Sequence, residues 1–222
     1  MLKLILDQDF IHAPPAVDAS TYGHHGRVVD LLHHSDGRSP GSGALDFTNA
    51  DAAVRIAPRP AWHRLDALAV EAVVLLRPSA GRRNVVEGDG SFAFYVDGDD
   101  TLVASVFSTV DGAPAPAWNA VSSRLHGPGG AVRTVPTDRW CKIVLHHDGI
   151  TRCRLFVDDE LVAVRSDYRS GLAPVGAAGV VIGNWTLASQ YAFDGLIDRV
   201  RIWKRDEDAL VRDFAARLDD PA

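Results

Sequence analysis

The sequence predicts an all-β protein, a sandwich or a barrel, and three observations carry that prediction. The 222 residues break into many short apolar stretches. Turn signals separate nearly all of them: Ser-Asp-Gly at 35–37, Asp-Gly at 89–90, 97–98, 111–112 and 148–149, and Pro-Gly-Gly at 128–130. Short strands with a turn roughly every 8–12 residues are the mark of stacked or closed β architecture. A hydrophobic fraction of 46% and a charged fraction of 23% exclude a disordered or collagen-like chain. The length fits one sandwich domain over residues 1–222, since such domains run to roughly 200–250 residues.

The candidate strands follow in order. They are Leu2–Leu6, Arg27–Leu32, Ala44–Phe47, Ala52–Ile56, Leu68–Leu76, Asn84–Val86 and Phe92–Val96 in the first half. Leu102–Ser108, Val132–Val135, Cys141–His147, Arg152–Val157, Leu161–Arg165, Val180–Gly183 and Leu196–Trp203 complete the set. Leu68–Leu76 is apolar almost throughout, as in a strand covered on both faces. Its β-branched residues and the stop at Arg77-Pro78 favour strand over buried helix. Around Arg152–Val157, by contrast, Arg152, Arg154 and Phe156 alternate with Cys153, Leu155 and Val157, which makes one face partly polar. Gly112–Asn119, rich in Pro and Ala, reads as a loop. A helix is expected at the end, where Asp206 caps it, Glu207 and Asp208 suit its N-terminal dipole, and Leu210, Phe214 and Leu218 fall on one face.

Charge and cysteine usage remove several function classes. A net charge of −6 argues against nucleic acid as a partner, because a nucleic-acid-binding domain shows a basic patch. No run approaches the ~18 apolar residues of a membrane helix, so no membrane partner is expected. Met1–Leu6 is too short for a signal peptide and is followed by Asp7 and Asp9. The chain is therefore expected to be cytoplasmic, exported by a route other than Sec, or a domain cut from a longer protein. Cys141 and Cys153 are expected to be free thiols. A two-residue turn at Asp148-Gly149 would oppose Val144 to Cys153 and place the two cysteines on opposite faces, too far apart to bridge.

A family pattern is carried by motifs in a fixed order. Phe193-Asp194-Gly195-Leu196-Ile197-Asp198-Arg199-Val200-Arg201-Ile202-Trp203 resembles the closing strand of the laminin-G-like, concanavalin A-like jelly-roll domains of bacterial proteins, a fold related to the pentraxins. Trp140 through Asp148-Gly149, and Leu155-Phe156-Val157-Asp158-Asp159-Glu160-Leu161-Val162, are similar to that family's central hairpins. Asp18 through Gly26, Gly43-Ala44-Leu45-Asp46-Phe47 and Glu71-Ala72-Val73 resemble its opening motifs. The resemblance implies an all-β, two-sheet antiparallel jelly-roll sandwich with a short C-terminal helix. Asp159 stands where the family has a turn glycine, Val73 replaces its usual Trp, and residues 81–130 match nothing in it.

The chemistry expected on this frame is binding. A retaining glycosidase needs two carboxyl groups about 5–5.5 Å apart. The nearest match to the E-x-D-x-x-E motif of jelly-roll glucanases is Glu87-Gly88-Asp89-Gly90-Ser91-Phe92, with Phe in place of the second Glu and glycines that suit a turn. The other glutamates are Glu71, Glu160 and Glu207. The G-x-S-x-G pattern Gly37-Arg38-Ser39-Pro40-Gly41 is no nucleophile elbow, because Pro40 lacks the oxyanion N–H. Of the histidine pairs His24-His25, His33-His34 and His146-His147, neighbours on a strand face opposite ways and cannot share a metal. The family resemblance implies a calcium ion, with Asp198 and Asp18 as its carboxylates. The competing reading has Asp198 hydrogen-bonding a loop backbone. For ligand binding, Trp118 in the Pro/Ala loop, and Trp185 and Tyr191 in the loop Asn184–Tyr191, offer flat apolar faces beside hydrogen-bonding groups such as Asn184. Trp62, Trp140 and Trp203 read as core or strand-end residues. The expected function is a non-catalytic module binding a glycan through edge loops. The alternative is a protein–protein or assembly subunit whose loops or sheet face meet a partner protein.

Overall fold

The computed structural model describes residues 2–11, 16–34 and 36–205. The helix expected from Asp206 onward lies outside the described residues. Fifteen strands fall within them. One antiparallel sheet contains β1 (Leu2–Gln8), β3 (Leu32–His34), β4 (Ala44–Asp46), β6 (Leu68–Leu76), β11 (Trp140–His147), β12 (Cys153–Val157), β13 (Glu160–Arg165) and β15 (Gly195–Arg205). The other contains β2 (Arg27–Val29), β5 (Ala53–Ile56), β7 (Arg83–Gly88), β8 (Phe92–Val96), β9 (Leu102–Ser108), β10 (Ala117–Ser122) and β14 (Val180–Ile182). Their order is β13-β12-β11-β6-β15-β4-β3, with β1 also on β15, and β10-β9-β8-β7-β14-β5-β2.

Alternation builds the core between the sheets. Val70, Ala72 and Val74 of β6 and Ile143 and Leu145 of β11 meet Phe94, Ala104, Val106 and Ile182 from the opposite sheet in one buried cluster. A register shift in β7 between Asn84 and Val86 turns both Val85 and Val86 inward, so Asn84 and Glu87 emerge on the outer face. β15 is shared lengthwise: Leu196 and Ile197 pair with β4, and Val200–Arg205 with β1. The bulge between those halves carries Asp198.

Four sequence expectations are corrected. Arg27–Leu32 is not one strand. The backbone turns at Asp30, with φ +48°, and passes from β2 in one sheet to β3 in the other. Val132–Val135 forms no strand, only an isolated bridge from Thr134 to Thr101. The loop expected at Gly112–Asn119 gives way at Ala117 to β10, so Trp118 stands on an edge strand. In the β11–β12 hairpin His147 opposes Cys153 across a five-residue loop, Asp148–Arg152, rather than a two-residue turn. Cys141 and Cys153 therefore share the inner face and are both buried, but they stand six positions apart, about 20 Å along the strand. They are free thiols for that reason of distance, not of facing. At the next turn the substitution of Asp159 for glycine is accommodated with Asp158 at φ +47° and Asp159 at φ +68°, both in the left-handed region of a type I′ turn.

Candidate functional site

The outer face of the seven-stranded sheet carries a trough that its register creates. Glu87 pairs with Ala93, Ala93 with Ser105, and Ser105 with Ala120. Directly opposed residues share a face, so these four form one row across β7, β8, β9 and β10. The middle of that row is small. On one side of it Tyr95 pairs with Val103, and on the other Phe107 pairs with Trp118. The Phe107 and Trp118 rings meet edge to face, centroids 5.7 Å apart. Small floor residues between bulky banks leave a groove crossing the strands.

The segment after β14 closes the groove at one end. Gly183, at φ +81°, lies so close to Phe47 that a Cβ would enter that ring. Asn184 follows, fully buried. Its Nδ2 donates to the carbonyls of Ala50 at 2.8 Å and Ala52 at 3.1 Å, and its Oδ1 accepts the Trp185 N–H at 2.8 Å. Asn184 is thus an anchor of the loop and not a ligand-facing group, because its polar atoms are spent on backbone. The Tyr191 carbonyl accepts the Asn84 N–H at 2.9 Å while its own φ is +64°. That strained backbone aims the Tyr191 ring at Trp185, 5.9 Å between centroids.

Trp118, Trp185 and Tyr191, widely separated in the sequence, therefore line one groove of about 520 Å³ together with Arg82, Glu87 and Asp89. Trp118 and Tyr191 are 49% and 36% exposed, enough to offer stacking faces. The Arg82 guanidinium stacks 3.8 Å from the Tyr95 centroid and 4.5 Å from that of Tyr191. Glu87, 5% exposed, accepts hydrogen bonds from Asn84 Nδ2 at 2.6 Å and Thr186 Oγ1 at 3.1 Å, with Arg82 at 3.8 Å. Burial lifts its carboxyl above the ordinary range, against the pull of Thr186, Arg82 and Asn84. In the sequence Glu87 stands out only as half of an incomplete glucanase motif. The chain turns after Gly88, and Phe92, at the position of the second acid, lies in the core. Arg82 carried no signal of its own. It lies one residue before β7, and only the pairing of β7 with β8 brings it over Tyr95.

The two proposed calcium carboxylates sit elsewhere and serve loops. Asp18, 5% exposed, accepts hydrogen bonds from the N–H groups of Asp7, Ser20 and His24 and from Ser20 Oγ, at 2.7–2.9 Å. Burial opposes its ionisation, yet those hydrogen bonds hold its pKa below the ordinary value. Asp198 accepts the Arg38 N–H at 2.7 Å and Ser42 Oγ at 2.5 Å, pinning the loop between β3 and β4. A Cβ on Gly37 would strike that carboxylate. Calcium takes six to eight oxygens, whereas the hydrogen-bond partners of both carboxylates are N–H and O–H donors. Among the described residues no group of three or more His, Cys, Asp or Glu could hold a metal ion. The paired histidines are engaged separately. His24 meets the Ile5 carbonyl, His25 accepts the Asp18 N–H, and His33 meets the Phe10 carbonyl.

Two antiparallel sheets around a single core define a concanavalin A-like jelly-roll β-sandwich. The chain belongs to the concanavalin A-like lectin/glucanases superfamily, whose family model matches residues 48–209. No curated protein matches it in sequence. Among solved structures it is similar to domain 4 of AbnA, a GH43 extracellular arabinanase from Geobacillus stearothermophilus, in complex with arabinotriose. That likeness has a TM-score of 0.61 at 14% identity and covers 91% of this chain and 93% of the other. It is also similar to the botulinum neurotoxin serotype G binding domain, with TM-score 0.63, 9% identity and coverage of 94% and 49%. The serotype D ligand binding domain in complex with N-acetylneuraminic acid gives TM-score 0.59, 8% identity and coverage of 97% and 51%. The chain spans about half the length of these toxin domains. At such identities the likeness establishes the fold.

Proposed function

We propose that this protein is a non-catalytic carbohydrate-binding module whose ligand lies in the groove across β7–β10. The observation that carries the reading is the convergence of Trp118, Trp185 and Tyr191, from an edge strand and a loop about 70 residues later, on one trough with polar groups at its floor. A sugar ring presents an apolar face to stack and a rim of hydroxyls to hydrogen-bond, and this trough offers both complements. The arabinotriose complex of a similarly folded domain supports the reading, as does the N-acetylneuraminic acid complex of another. The ligand is gripped on a sheet face with one loop as a wall, rather than by edge loops alone. The experiment is a glycan array, followed by calorimetric titration of the wild type and of Trp185→Ala against each bound oligosaccharide. Loss of a stacked aromatic should weaken binding by about 1–3 kcal/mol, the scale of base–aromatic stacking. Unchanged affinity in both Trp185→Ala and Tyr191→Ala would remove the groove from the account.

A further inference from the structure

We propose that the groove discriminates by charge, taking neutral saccharides and excluding acidic ones, with Glu87 and Asp89 as the determinants. This rests on the groove being the glycan site. The cation at hand is already committed. Arg82 lies flat between the Tyr95 and Tyr191 rings, donates its Nε–H to Asn84 Oδ1 at 2.8 Å and faces Glu87 at 3.8 Å. A sugar carboxylate would have to draw that guanidinium out of its stack and away from Glu87.

The anions are fixed in place. Every partner of Glu87 is a donor: the Asn84 amide, the Thr186 hydroxyl and the Arg82 guanidinium. An arrangement of donors alone suits an ionised carboxylate, which is acceptor only. Asp89, on the turn after β7, accepts the Ala178 N–H at 2.9 Å and adds a second negative charge to the lining. Two carboxylates against one guanidinium leave the lining net negative, the next guanidinium, Arg55, being turned to the Thr186 carbonyl at 3.4 Å; where the groove is partly closed to water like charges repel more than in bulk solvent. A neutral ring meets no such cost. It can stack on Trp185 and donate its hydroxyl hydrogens to the lone pairs that Glu87 and Asp89 have left. Of the two ligand types held by similarly folded domains, the groove chemistry matches arabinotriose and opposes N-acetylneuraminic acid.

Matched probes test this: galactotetraose against tetragalacturonate, lactose against sialyllactose, and arabinotriose, all at low and high salt. Among the probes that bind, the acidic member of each pair should be at least tenfold weaker at low salt, and the gap should shrink as salt screens the repulsion. Glu87→Gln and Asp89→Asn should each narrow the gap, and thermal melting identifies any variant that fails to fold. The salt dependence of the wild type needs no variant at all. Acidic probes binding as tightly as neutral ones, with Trp185→Ala weakening both, would overturn the charge selection and leave the groove standing. If neutral probes bind but Trp185→Ala and Tyr191→Ala leave them untouched, or if no probe binds, the groove reading falls and this proposal with it.

Discussion

His147 is fully buried on the inner face of β11, its Nδ1 accepting the Gly149 N–H at 3.0 Å and its ring edge-on to Tyr168. Its Nε2 has no hydrogen-bond partner. Burial disfavours the imidazolium and pushes the pKa down to about 4. The folded-state value lies below the unfolded one, so the unfolded chain takes up the proton first as pH falls. Stability is therefore complete above about pH 6.5 and declines toward pH 4. Between pH 7 and pH 5 the loss should be about 2 kcal/mol, read as a lower urea midpoint, and His147→Leu should flatten the slope. His24, His126 and His146 are shifted the same way, chiefly by burial, and add to it. The tryptophans divide by the same logic of burial. Trp185→Ala should cost ligand affinity with little change in melting temperature. Trp62, 0% exposed, should cost about 3–5 kcal/mol of stability when truncated to Ala.

At the scale of the element, the segment from Gly183 to Tyr191 behaves as a rigid wall because its ends are tied down. Asn184 holds the backbone at Ala50 and Ala52, Thr186 holds Glu87, and the Tyr191 carbonyl holds Asn84. Asn184→Ala strands the buried Ala52 carbonyl and frees the part-buried Ala50 carbonyl and Trp185 N–H, and should lower stability by roughly 1–3 kcal/mol. It should also weaken glycan binding without touching a ligand atom, and hydrogen exchange at Trp185–Tyr191 should quicken. The β12–β13 turn is a contrasting case. Asp159 in the left-handed region departs from the Asn-Gly or Asp-Gly pair that type I′ turns prefer. Asp159→Gly should raise stability by up to about 1 kcal/mol in a denaturant titration, since Asp159 is exposed and water screens its ion pair with Lys142.

Across the whole molecule, the two sheets bury one continuous core, and the polar clusters at its edge tie loops to strands. Asp18 joins the opening segment to β1, and Asp198 joins the loop after β3 to the bulge of β15. With those carboxylates engaged by protein donors, the melting temperature should be the same in a chelator as in millimolar calcium. A rise with calcium would show a donor set other than the one at Asp18 and Asp198. Both thiols are shielded: burial pushes Cys141 up to about 12 and Cys153 higher still. Alkylation should label neither at neutral pH in the native state and both after denaturation, without reductant.

The sequence by itself determined the sandwich. Period-two alternation, turn residues between strands and the apolar run of β6 are local properties, and they mark most of the segments that extend and the class of fold they build. It also offers Trp118, Trp185 and Tyr191 as stacking candidates, because they fall in stretches that read as loops between strands. Only the tertiary structure decided the rest. The split of Arg27–Leu32 between two sheets, the register that aligns Cys153 with His147, and the strand identity of Trp118 all depend on pairing partners distant in the chain. So does the groove. Glu87, Ala93, Ser105 and Ala120 form a row only because four strands align in register, and nothing local to any of the four specifies the other three. Asn184 shows the same division at a single residue. The sequence shows an amide beside a tryptophan, and only its burial against Ala50 and Ala52 makes it a support of the site rather than a part of its surface.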